Sequence, residues 1–112
     1  MPSQPASSPP SLPRPLTIAG LQGLIRDRYY ATDSARGTPA TFMWFIEEVG
    51  ELSTALANNA PGKSPTAEER ANLEEEFADV IAWLCTLANI NNVDLEKALE
   101  KYTVKGVEGV KS

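Results

Sequence analysis

The residues of this chain best suited to chemistry are two groups of carboxylates. FIEEVGEL carries Glu47, Glu48 and Glu51, and EEEFADVIAWL carries Glu76 and Asp79. Glu48/Glu51 and Glu76/Asp79 are both i, i+3 pairs, so each pair leaves one side of a helix. Nine of the fifteen acids fall between Glu47 and Asp79, accompanied only by Lys63 and Arg70. Like charges so close repel one another unless a cation sits between them. If the intervening loop folds the two helices against each other, the facing pairs form an oxygen cage suited to Mg²⁺, or to Mn²⁺ as a substitute. Either group alone is ordinarily a solvated helix face. The combination of two pairs, each at the margin of an apolar helix, is what points to a metal site. Glu68, Glu69, Glu74 and Glu75 are read instead as early-turn dipole partners and solvating charge.

What is missing narrows the chemistry further. The chain has no histidine, which excludes Ser–His–Asp and Cys–His nucleophiles and His-containing zinc sites. It also removes the Glu-x-x-His pairs of a di-iron bundle. Cys85 is the only cysteine, so neither a four-cysteine zinc site nor an internal disulfide can form within the chain. That usage fits a reducing, cytoplasmic setting. No D-x-D-x-D-G calcium loop is present. Any catalysis therefore falls to carboxylates with a hard metal ion. The net charge of −5 speaks against a nucleic-acid polymer or an anionic membrane as partner. No apolar run approaches the ~18 residues needed to span a bilayer.

The elements that must position these acids read as helices. A chain of 112 residues, 42% hydrophobic and 22% charged, suits one globular domain. Residues 1–15 hold six of the nine prolines and four serines, which predicts a disordered tail before a domain over 16–112. They lack the basic start and apolar core of a secretory signal. Thr17 caps a first helix with Ile18, Leu21, Leu24, Ile25 and Tyr29 on its apolar side, and Thr32–Gly37 reads as a polar loop. Thr38-Pro39 opens a second helix carrying Phe42, Phe45, Ile46, Val49, Leu52 and Leu56 to about Asn58. Thr66 and Glu69 form a capping box for a third, with Leu73, Phe77, Val80, Ile81, Leu84 and Leu87 as its stripe. Asn91-Asn92 breaks it, and Asp94 caps a fourth helix that frays near Gly106. The expected fold is all-α, an antiparallel four-helix domain.

On a helical wheel Glu48 and Glu76 sit at the border of the apolar stripes, where side chains are half-buried. Glu47, Glu51 and Asp79 point farther round. The run Phe42–Ile46 is apolar on every side, more than three partner helices readily cover. A homodimer or a dimer of dimers is therefore expected.

EExxE followed on the next helix by ExxD resembles the MazG-like family of the all-α nucleoside triphosphate pyrophosphatase superfamily. Here it reads Glu47-Glu48-Val49-Gly50-Glu51, then 24 residues, then Glu76-Phe77-Ala78-Asp79. The wider wording, with EEVGEL, FADVIAWL and VDLEKALEKY, is similar to MazG-like sequences across residues 18–105. The resemblance implies Mg²⁺-dependent cleavage of a nucleoside triphosphate between its α and β phosphates, giving the monophosphate and pyrophosphate. It implies metal ligation by Glu48, Glu51, Glu76 and Asp79. Glu47 would be an added ligand or the acceptor that orients the attacking water. Lys101 looks like the family's fourth-helix lysine and is the best phosphate contact, whereas Lys97 and Lys105 read as a solvated face. Trp44 and Trp83 lie four residues from Glu48 and Asp79, and each admits two readings, core packing or stacking on a base. Arg28 and Arg36 are within reach of a phosphate only across a subunit contact, and Cys85 reads as an inert packed thiol. The competing reading is a non-catalytic helical module that binds nucleotide or protein and retains the cage.

Overall fold

Thr17 starts the first helix as expected, accepting the Gly20 N–H at 2.9 Å in a computed structural model that describes residues 11–104. The tail read over 1–15 falls mostly outside that range, as do Lys105 and Gly106. Helix α1 runs Ile18–Arg36, through the stretch expected as a loop. The polarity of Thr32–Gly37 belongs to an ion pair between Asp33 and Arg36 at 2.8 Å, one helical turn apart, with Asp33 buried. Gly37 alone makes the turn. Its φ of +83° is left-handed backbone that favours glycine, and its N–H closes the helix on the Asp33 carbonyl at 3.0 Å.

Helix α2 spans Thr38–Asn58 with Pro39 in its first turn. Gly37, rather than Thr38, occupies the cap position. The Thr38 hydroxyl is engaged elsewhere, accepting from Asn91 Nδ2 at 3.1 Å. Helix α3 spans Ala67–Ile90 behind the expected capping box: Thr66 Oγ1 accepts the Glu69 N–H at 3.0 Å, and Glu69 Oε1 accepts the Thr66 N–H at 2.9 Å. Past Asn91-Asn92, Asp94 caps a helix by accepting the Lys97 N–H at 3.2 Å. The expected fourth helix is split at Leu99 into α4, Leu95–Ala98, and α5, Glu100–Thr103. Leu99 and Tyr102 are exposed, so among the described residues little covers the stripe that would hold one continuous helix down. The described residues contain no strand, and the fold is all-α.

The core between α1 and α3 is small. Ile25, Tyr29 and Cys85 form it, with Ile18, Leu21, Leu24, Ala82 and Leu95 packed around them. A polar clamp closes its end: Gln22 Nε2 donates to Asn89 Oδ1 at 3.0 Å and to the Val93 carbonyl at 2.7 Å. Asn89 Nδ2 donates back to the Gln22 carbonyl at 3.2 Å, and Gln22 Oε1 accepts the Leu95 N–H at 2.9 Å. Both amides are buried and satisfied, which avoids the cost of an unpaired polar group. Helix α2 lies along α3, touching it at Thr38–Asn91, at Trp44–Trp83 and where Asn59 donates to the Glu69 carbonyl.

The apolar stripes differ from expectation in what covers them. On α3, Leu73 is buried, but Phe77, Ile81 and Leu84 are exposed. Besides Leu73, α3 buries Trp83, Cys85, Thr86, Ala88 and Asn89, which lie in its second half and on more than one side of the helix. On α2, Phe42, Ile46, Val49 and Leu56 are likewise exposed. Periodicity identifies an apolar face and is silent on whether the same chain covers it. Among the described residues, no helix is long and apolar enough to cross a membrane.

Candidate metal centre

The contact between α2 and α3 brings Glu48, Glu76 and Asp79 together. Each offers a carboxylate oxygen within 4.8 Å of the other two. All three side chains are half-buried, so they sit where solvent screens them incompletely. One oxygen of Glu48 and one of Glu76, both Oε2, are buried without a hydrogen-bond partner. Buried carboxylate oxygens left unpaired are costly, and a bound cation is the ligand that would satisfy both at once.

Electrostatics agree with the geometry. Burial, then the adjoining Glu51 carboxyl, then the charge of Asp79 push Glu48 up to about 7. Glu76 is raised as well, first by burial and then by the charges of Glu51 and Asp79. Glu51 is exposed, yet it stands close enough to bear on both Glu48 and Glu76. Four carboxylates thus crowd one spot with no cationic side chain among the causes of either shift. The donor set is all oxygen and anionic, the chemistry a hard divalent ion takes. The wheel placed Glu48 and Glu76 at the stripe border, and both are half-buried. Asp79, read as pointing farther round, is half-buried too because α2 covers that side of α3.

The remaining candidates fall outside this cluster of acids. Glu47 is exposed and edges a cavity of about 290 Å³ lined also by Ala40, Met43 and Trp44. Trp44 is 45% exposed, whereas Trp83 is fully buried. The two indoles stack with centroids 6.2 Å apart and planes inclined by 11°. Trp83 has no open face for a base, and its burial is packing; Trp44 is the indole with surface to offer. Lys101 is exposed on α5, with Nζ 5.7 Å from the centre of the Tyr102 ring, and no hydrogen bond or ion pair joins it to the cage among the described residues. Arg36, read only as a distant phosphate contact, instead pairs with Asp33, donates to Thr41 Oγ1 at 3.2 Å and lies 5.2 Å over the Trp83 ring. Its spacing from Asp33 was the available sign of that role. Cys85 is fully buried in the core, and burial pushes its thiol up, away from the reactive thiolate.

Comparison with known proteins places the chain in a family. Residues 37–108 match the family model described as the MazG nucleotide pyrophosphohydrolase domain. The chain is also similar to the crystal structure of iMazG from Vibrio DAT 722, at 34% identity and a TM-score of 0.62, over 86% of this chain and 100% of that one. No curated protein matches. The family match takes in α2, the loop and α3, hence every acid of the cage, and spans well over half of the sequence: the chain belongs to the MazG nucleotide pyrophosphohydrolase domain family.

Proposed function

We propose that this protein hydrolyses nucleoside triphosphates between the α and β phosphates, releasing a monophosphate and pyrophosphate, with Mg²⁺ as its metal and Mn²⁺ as a substitute. The observation that carries this reading is the meeting of Glu48, Glu76 and Asp79 within 4.8 Å, inside the stretch matched by the family. Those three and Glu51 hold the ion. When bound, it neutralises charge developing on the phosphate oxygens. Glu47, next to Glu48 in the sequence and exposed, orients the attacking water and accepts its proton. Trp44 offers its exposed indole to the base, and Trp83 backs it from below. Lys101 meets the phosphates, in a cytoplasmic protein whose overall charge otherwise repels them.

The same proposal covers the assembly. The α2–α3 contacts pair residues early in one helix with residues late in the other, as an antiparallel bundle requires. The exposed apolar stripes of both helices favour a homodimer or a dimer of dimers.

A panel of standard and modified nucleoside triphosphates with Mg²⁺ or Mn²⁺, scored for monophosphate and pyrophosphate, tests the activity. Glu48→Gln and Asp79→Asn are each expected to lower kcat/KM by about a hundredfold or more while circular dichroism stays unchanged. Full activity in both variants would sink the cage assignment. Absence of pyrophosphate from every substrate would leave a module that binds without turnover.

A further inference from the structure

We infer that Arg36 is a positioning residue that fixes the stacked Trp44–Trp83 pair and thereby sets the affinity for the base of the nucleotide; this rests on the function proposed above. The inference stands on a continuous chain of contacts. Asp33, 2% exposed, holds the Arg36 guanidinium at 2.8 Å, and fully buried Thr41 accepts from it at 3.2 Å. These two anchors come from the last turn of α1 and the first turn of α2. The guanidinium, fixed in plane, lies 5.2 Å over the ring of Trp83, the range of a cation–π contact. Trp83 stacks in turn on Trp44, whose other surroundings are the cavity shared with Ala40, Met43 and Glu47.

An indole as exposed as Trp44 would normally sample several rotamers, and ordering it on binding would cost affinity. Here part of that cost is met in the free protein, because Trp44 stacks on a buried ring that the clamped Arg36 guanidinium also contacts. Lysine cannot replace this arginine: an ammonium lacks the planar fork that reaches an acid, a hydroxyl and a ring face together. The contacts of Arg36 are Asp33, Thr41 and the Trp83 ring, not the cage acids, so its influence is expected at the base end of the ligand.

The test compares a ligand with a base and one without. Binding of a Mg²⁺–nucleoside triphosphate and of Mg²⁺–tripolyphosphate is measured by calorimetry for the wild type, Arg36→Lys and Trp83→Phe. Arg36→Lys keeps the charge opposite buried Asp33, which preserves folding; if it still fails to fold, Trp83→Phe carries the comparison. The expected result is nucleotide affinity weaker by roughly tenfold with tripolyphosphate affinity unchanged, in line with the energy of one base–aromatic stack. In steady state KM rises and kcat holds, and the near-ultraviolet dichroism of the indole pair diminishes. Equal losses for both ligands, or an unaltered nucleotide affinity with the dichroism lost, would overturn the positioning role. A wild type that binds neither ligand would overturn the proposed function itself, and this inference with it.

Discussion

Glu48 stands where burial, a neighbouring carboxyl and a facing aspartate all oppose its charge, and that has a consequence for stability. Its pKa of about 7 in the folded chain lies above the ordinary 4.5, so between those values the folded state binds more protons than the unfolded one. Stability of the metal-free protein then falls as pH rises through that window and levels off above it. A bound divalent ion reverses the balance by favouring the ionised form, so metal affinity strengthens over the same range and binding releases protons. Melting temperatures of chelator-treated protein are expected to fall between pH about 4.5 and about 7. The fall should be reversed by Mg²⁺ at the upper end and flattened in Glu48→Gln. Melting curves that keep the wild-type pH slope in Glu48→Gln would show that the strain lies elsewhere.

At the scale of elements, α3 owes its start to the reciprocal Thr66–Glu69 box and holds Glu76 and Asp79 well along its length. Thr66→Ala removes the acceptor of the Glu69 N–H and is expected to cost about 1 kcal/mol of stability, read as a lower denaturation midpoint. Metal affinity, set farther down the helix, should stay within about twofold in binding measurements below the melting range. This box was legible in the sequence because it is local: two residue types at a fixed spacing carry the whole signal. Glu48, Glu76 and Asp79, the acids that the fold brings together, were marked by the same kind of local spacing. The continuation of α1 to Arg36 was not, because Asp33 and Arg36 look like loop residues until the fold buries one against the other. The unequal fates of Trp44 and Trp83 escaped the sequence too, since both lie on the cage side of their helices and only packing decides which is covered.

At the scale of the whole molecule, much of the stripes that periodicity marked as core is exposed in the single chain. Phe42, Ile46 and Val49 repeat at helical spacing on α2, and Phe77, Ile81 and Leu84 do so on α3. Both helices already bury another side against the chain, so these stripes belong to a second face. The core that remains to the monomer is few residues deep, and domains of this size gain stability slowly with burial. Large apolar side chains left exposed on two packed neighbours mark an interaction surface. Self-association would cover both stripes at once and hold α2 and α3 in the relation that forms the cage. Light scattering on the eluted protein is therefore expected to give a multiple of 12.1 kDa. Ile81→Glu, which sets a charge in the middle of the α3 stripe, is expected to shift the mass toward a single chain and to weaken Mg²⁺ binding alongside. If the wild type elutes as one chain of 12.1 kDa and binds metal regardless, α2 and α3 need no partner, and the open stripes face solvent in the working protein.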